Sequence, residues 1–119
     1  MDKTQVLNYS EALDRADGDR DFFLTLAGLF LQESSKEAAA ARAALERQDQ
    51  AGLVAAAHKL KGSVVVICAP RLYESARRLE ELGRQGEFAE ASPVCADVET
   101  QLTEVHAALR DLIAGGCPS

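Results

Sequence analysis

One histidine in this chain keeps company that suggests chemistry. His58 is followed at once by Lys59, then by Lys61 and Gly62, in the string Ala57-His58-Lys59-Leu60-Lys61-Gly62-Ser63. An imidazole, with an ordinary pKa of about 6.5, is largely neutral near pH 7 and offers a ring-nitrogen lone pair as a nucleophile without an internal base. Two flanking ammonium groups can steady the oxygens of a transferred phosphoryl group and disfavour the imidazolium, effects that salt tunes at an exposed site. Gly62 lies one turn beyond His58 and adds no side chain, which leaves room for a tetrahedral group on the ring and for the backbone of another protein. A glycine inside a helix costs about 1 kcal/mol relative to alanine.

The helix that must carry this group can be laid out residue by residue. At about 100° per residue, Leu53, Ala56, Ala57, Leu60, Val64 and Ile67 gather on one side, the core side. His58 points roughly 150° away from it. Its neighbours on the far face are Ala51, Val54, Ala55, Gly62, Val65 and Val66, with Lys59 and Lys61 projecting to either side. A solvated face is normally charged, and an ordinary surface histidine explains neither the glycine nor the apolar collar. Ala51, Val54, Ala55, Val65 and Val66 are therefore the candidate partner-docking residues.

Other candidates are weaker. His106 shares a face with Leu102, Leu109 and Ile113, close to Glu104, and reads as a partly buried edge residue lacking both cations and space. Cys68, Cys95 and Cys117 are odd in number and contain no CxxC pair, so no disulfide framework, structural zinc or other metal site is indicated. Core packing is the expected role of Cys68 and Cys95. The run Arg77-Arg78-Leu79-Glu80-Glu81 reads as a solvated face with pairing at three- and four-residue spacing. No Gly-rich phosphate loop, Walker motif, catalytic carboxylate pair or kinase signature is present, which argues against an ATP-using enzyme. A phosphatase needs an acid or amide to orient water, and Val54, Ala55, Val65 and Val66 offer none.

The framework predicted around these residues is all-α. A short first helix starts near Asn8 or Ser10 and stops by Gly18. Asp19 caps a long helix with apolar Phe23, Leu26, Phe30, Ala38, Ala41 and Leu45, and Ser34 in one polar slot, running to about Gln48. Asp49 caps the His58 helix, which extends to Cys68. The β-branched run from Ser63 to Ile67 stays helical because it continues the preceding phase. Pro70 opens a helix with Leu72, Ala76, Leu79 and Leu82, ending at Gly83 or Gly86, and Ser92 with Pro93 at its first position opens the last. That helix carries Val98, Leu102, Val105, Leu109 and Leu112 at bundle-seam spacing and ends at Gly115-Gly116. Four substantial helices with short links predict an antiparallel four-helix bundle with a short additional N-terminal helix.

Composition agrees. The 119 residues are 47% hydrophobic but only 5% aromatic, without Trp, and form one expected domain over residues 1–119 with a core of Leu, Val and Ala. Thirteen basic against nineteen acidic side chains give a net charge of -6, which argues against nucleic acid as a partner. Met1-Asp2-Lys3-Thr4-Gln5 lacks the apolar stretch of a signal peptide, and Val64 to Pro70 is too short to span a bilayer, so a cytoplasmic location without membrane contact is expected.

The Ala57–Ser63 string, followed by Cys68-Ala69, Leu72 and Leu79-Glu80, resembles the signature of histidine-containing phosphotransfer (HPt) domains. Those commonly read A-H-x-L-K-G-S-x-x-x-L-G-A-x-x-L around the active histidine. Ala12-Leu13-Asp14 through Gly18-Asp19, then Phe22-Phe23-Leu24 and Phe30, is similar to the family's first two helices, so the likeness covers about residues 8–112. It implies that His58 is phosphorylated on its distal ring nitrogen, with Lys61 the cation near the phosphoryl group, Lys59 auxiliary and Gly62 permitting access. It further implies a carrier, not a self-phosphorylating kinase. Such a carrier, expected here as a monomer, exchanges phosphate with a response-regulator receiver domain or accepts it from a sensor (hybrid) histidine kinase. It needs no cofactor of its own, since Mg²⁺ belongs to the receiver, and transfer is in-line. An adaptor of the same fold that docks receivers without being phosphorylated is the alternative, against which His58 together with Lys61 speaks. Val64, Val65 and Val66 stand where the family often has Ser, Ala and Asn, and Cys68 replaces a frequent Gly. Leu24 and Leu31 lie off the core stripe of the second helix, and either extend the docking patch or contact the short first helix at the core edge.

Overall fold

A computed structural model describes residues 6–115 of the chain. Its helices are α1 (Tyr9–Arg15), α2 (Arg20–Glu46), α3 (Gln50–Ile67), α4 (Pro70–Arg84) and α5 (Phe88–Ile113). Cys117, Gly116 and the first five residues lie outside the described region.

Three starts follow from side chains that accept orphan backbone N–H groups. Asn8 accepts from Glu11, Asp19 from Phe22 and Asp49 from Gly52. At α4 the N1 residue Pro70 replaces a cap, because a proline has no N–H to leave unpaired. The links are short, at residues 47–49, 68–69 and 85–87, and successive long helices therefore run antiparallel. Packing closes a ring: α2 on α3, α3 on α4, α4 on α5 and α5 back on α2. α1 lies against α2 and α3, and Asn8 N–H donates to the Cys68 carbonyl at 2.8 Å, tying the chain's start to the end of α3. The 27 residues of α2, at about 1.5 Å each, account for most of the 44 Å long axis.

One core fills the ring. Phe23, Leu53, Leu60, Ile67, Leu72, Leu79 and Leu109 are fully buried, and the Tyr9 ring meets Phe23 edge-on at 5.2 Å. Fully burying such side chains stabilises the fold by roughly 1.5–3 kcal/mol each. Leu26, expected in this core, is only half-buried, and Ala27 takes the inward position.

The start of α5 differs from expectation. It begins at Phe88, two residues after Gly86, whose φ of +70° closes α4, so Ser92 and Pro93 lie inside the helix. The added turn buries Ala91 and half-buries Phe88. Pro93 is exposed, as is Ala89, whose carbonyl loses its helical donor to the proline ring, so the lost hydrogen bond faces water. Cys68 ends α3 in the left-handed region with φ +58°, a conformation that glycine adopts without steric cost.

Candidate functional site

α3 turns Ala57 and Leu60 into the core and His58 outward; the His58 side chain is 64% exposed. Its Nδ1 lies 3.1 Å from Oε2 of Glu80 on α4. Glu80 is buried, its side chain 5% exposed, and gathers three basic groups. Lys61 places Nζ 2.9 Å from Oε1, and the Arg84 guanidinium donates to Oε2. Oε1 is closed off from solvent, with that ammonium beside it.

Burial pushes the Glu80 carboxyl up, but hydrogen bonds from Lys61 and His58 and the charges of Lys61 and Arg84 more than offset it and hold the group below its ordinary value. Glu80 is thus ionised near neutral pH. A carboxylate only accepts hydrogen bonds, so the Nδ1–H of His58 is the donor, and this network assigns the tautomer. Nε2 keeps its lone pair on a largely exposed ring. The arrangement is a nucleophile whose ring is oriented by a buried carboxylate, the same logic by which outer-shell carboxylates orient ligating histidines.

The cations divide. Lys61 is half-buried and turned toward α4, whereas Lys59 is exposed on the side toward α2. There its charge acts on Glu37, which accepts the Ser63 hydroxyl at 3.1 and 3.2 Å. Burial nonetheless raises the Glu37 carboxyl above its ordinary value.

Glycines separate packing from access. No atom stands within 4 Å of where a Cβ on Gly62 would lie, so the chain's own packing does not require glycine there. Gly28 is equally open, and what distinguishes Gly62 is its place one turn from the imidazole. Gly83 is the opposite case: a Cβ would come within 3.2 Å of Val54 Cγ2 and 3.3 Å of Leu53 Cγ. Its absence lets α4 lie close on α3, one turn from Glu80, which brings the carboxylate to the ring.

Ala51, Val54 and Ala55 line an open groove of about 730 Å³ beside His58, closed at one side by Gln50 and Arg84. Val65 and Val66 are exposed at 39% and 41%. Leu24 and Leu31 are partly buried against the core, and the exposed large apolar residues of α2 are instead Phe22 and Leu29. Leu29 shares a smaller groove with Val66.

His106 is more than an edge residue. It is buried, with Nε2 2.8 Å from the Ser34 hydroxyl, whose own proton goes to the Phe30 carbonyl. Burial, helped by the Arg110 charge, pushes this imidazole below its ordinary pKa. Cys68 and Cys95 are buried and free, and burial pushes both thiols up, away from the reactive thiolate. Among the described residues no group of three or more His, Cys, Asp or Glu could hold a metal ion.

Glu80 and Arg84 are the site residues that sequence reasoning missed. Arg77 does pair with Glu74 and Glu81 on the solvated face, but Glu80 leaves it for the interior. The available signal was spacing: Glu80 follows Ala76 by four residues and precedes Gly83 by three, so it falls on the helix's apolar stripe.

The Hpt domain family model matches residues 25–112, most of the chain and all of the His58 helix. No curated protein sequence matches it. The fold is similar to a solved structure of the HPT domain from a sensor hybrid histidine kinase of Shewanella, at 19% identity and a TM-score of 0.85, covering 94% of this chain and 97% of that one. It is also similar to histidine-containing phosphotransfer protein B from Pseudomonas aeruginosa PAO1, at 24% identity and a TM-score of 0.82, covering 88% and 91%. Match and bundle agree, and this chain belongs to the Hpt domain family, whose members carry phosphoryl groups on histidine in two-component phosphorelays.

Proposed function

We propose that His58 is the phosphoryl carrier and that Nε2 is the atom that takes the group. The observation that carries this reading is the contact between Nδ1 and the ionised Glu80, which leaves Nε2 unprotonated on an exposed ring. In an in-line transfer, Nε2 attacks the phosphorus of a receiver's acyl phosphate while the bond to the aspartate oxygen breaks. Positioning and charge neutralisation supply most of the catalysis. Lys61 stands 2.9 Å from Glu80 on a flexible stem, and its ammonium can turn from that carboxylate to the incoming phosphoryl oxygens. Lys59 adds to the positive potential from the α2 side. Gly62 leaves the approach clear.

Hpt domains work with kinases and receiver domains. For this chain the docking face we propose is the apolar groove of Ala51, Val54 and Ala55 beside His58, continued along α3 by the exposed Val65 and Val66. Mg²⁺ is supplied by the receiver and neutralises phosphoryl charge there. The carrier acts as a monomer in the cytoplasm, without an ATP site; among the described residues no helix is long and apolar enough to cross a membrane.

The test is phosphoryl transfer from a panel of phosphorylated receivers with Mg²⁺, comparing the intact protein with His58→Gln and His106→Gln. Acid-labile, alkali-stable label that disappears only in His58→Gln is the expected result. Binding of a receiver without any labelling would favour the docking adaptor instead.

A further inference from the structure

Glu80 does more on this geometry than choose a tautomer. We propose that it holds the Nδ1 proton on the ring throughout the transfer cycle, so that the phosphorylated form is a phosphoimidazolium poised to leave as neutral imidazole. This rests on His58 being the carrier.

The atoms balance without any proton transfer. In loading, the Nε2 lone pair forms the N–P bond, the O–P bond of the acyl phosphate breaks, and its electron pair returns to the aspartate carboxylate. The ring now carries phosphorus on Nε2 and hydrogen on Nδ1, hence a positive charge. In unloading, an acceptor oxygen attacks phosphorus, the N–P bond breaks, and the pair returns to Nε2 as neutral imidazole. Were the Nδ1 proton lost in between, the departing group would be an imidazolate, a far poorer leaving group. The ring's charge decides whether the carrier stays reversible.

Among the described residues, Glu80 is the anionic side chain in contact with that positive ring. From α3 the ring is flanked by Lys59 and Lys61, and from α4 by Glu80 and Arg84. The α2 carboxylate, Glu37, is engaged by Ser63 and Lys59. Among the described residues only Glu80 stands against Nδ1, at 3.1 Å, and its burial strengthens the interaction relative to one in water. Removing its charge would leave Nδ1 without a carboxylate partner while Lys59, Lys61 and Arg84 remain. Lys61 works against it: while bound to Oε1 it neutralises part of the charge that the ring sees. Glu80 is in this sense a positioning residue that acts on the reacting nitrogen through the far side of the ring.

The experiment loads the full chain with phosphoramidate and follows loss of phosphate to water by ³¹P NMR over a pH series. Glu80→Gln keeps the shape and an oxygen for the Nδ1–H but not the charge, and Lys61→Met removes the competing cation. The rate should fall as pH rises and the Nδ1 proton departs. For Glu80→Gln that fall should come about one pH unit earlier than in the unaltered protein, roughly a tenfold slower loss on the alkaline limb. In Lys61→Met it should come later. Opposite shifts cannot come from a loosened site, which would move both variants alike. Coincident profiles for Glu80→Gln and the unaltered protein would overturn the inference while leaving His58 as the carrier. If the unaltered protein takes no label from phosphoramidate or from any receiver, the carrier reading falls and this inference with it.

Discussion

The two histidines sit on facing sides of the same bundle and show what an environment makes of one side chain. His58 is exposed and turns Nδ1 to a buried carboxylate across the α3–α4 seam; His106 is buried and meets a hydroxyl across the α2–α5 seam. The first contact sets a tautomer and leaves the other nitrogen to solvent. The second satisfies a polar group that the core has swallowed, as buried polar groups require. Geometry and access, not residue type, separate a site from a structural strut.

The largest test of this contrast is all-or-none. His58→Gln should abolish phosphoryl labelling, whereas His106→Gln should keep it, since the carrier nitrogen and its partners lie on the other seam. If both variants lose label at equal folded fraction, the division fails. Next comes Ser34→Ala, which deletes the partner of the buried His106 ring. Stability should fall by about 1–3 kcal/mol, the usual cost of stranding a buried polar group, with labelling unchanged. Chemical denaturation read alongside the labelling assay checks both halves.

Local signals carried most of the fold. Asn8, Asp19, Asp49 and Pro70 each state a helix start by their own chemistry, and the residues that follow repeat at helical spacing. Pro93 misled because its preference for a first turn is only a local term, and burial of Phe88 and Ala91 outweighed one lost hydrogen bond. The site divides similarly. His58, Lys61 and Gly62 are adjacent in sequence and legible together, but Glu80 lies 22 residues from His58 and its role appears only when α4 packs on α3. Ser34 and His106, 72 residues apart, are the same case. A polar residue on an apolar stripe was the trace that both left in the sequence.

Acid should also tell the two seams apart. The fold holds His106 neutral, because burial and the Arg110 charge lower it from its ordinary 6.5. The unfolded chain therefore binds the proton first. Stability is complete above about pH 6.5 and declines below it, by at most about 1.4 kcal/mol per pH unit for one group. Glu80, held below its ordinary 4.5, contributes in a lower window: its stabilisation is present above that value and is lost as pH falls through its depressed one. Denaturation midpoints for the unaltered protein and His106→Gln should run parallel above about pH 6.5 and change their separation below it, as the unaltered protein loses the His106 contribution. A slope in that interval that survives His106→Gln would assign it to another group, Glu37 not among them, since its raised value gives the opposite sign.

The smallest expected effect on stability sharpens the comparison most, because it sets stability against function at one atom. A methyl group on Gly62 meets nothing within 4 Å, so Gly62→Ala should gain the helix preference of alanine, up to about 1 kcal/mol, with no packing cost. A structural glycine cannot behave this way: at Gly83 the same methyl would press on Val54 and Leu53. If Gly62 is kept open for an approaching receiver, the stabilised Gly62→Ala protein should still take phosphate from phosphoramidate, a small donor, yet exchange it more slowly with a receiver. Unchanged exchange with both donors would mean that the space beside His58 is not where a partner comes closest, and would move the docking face toward the exposed Val66 and Leu29 on the α2 side.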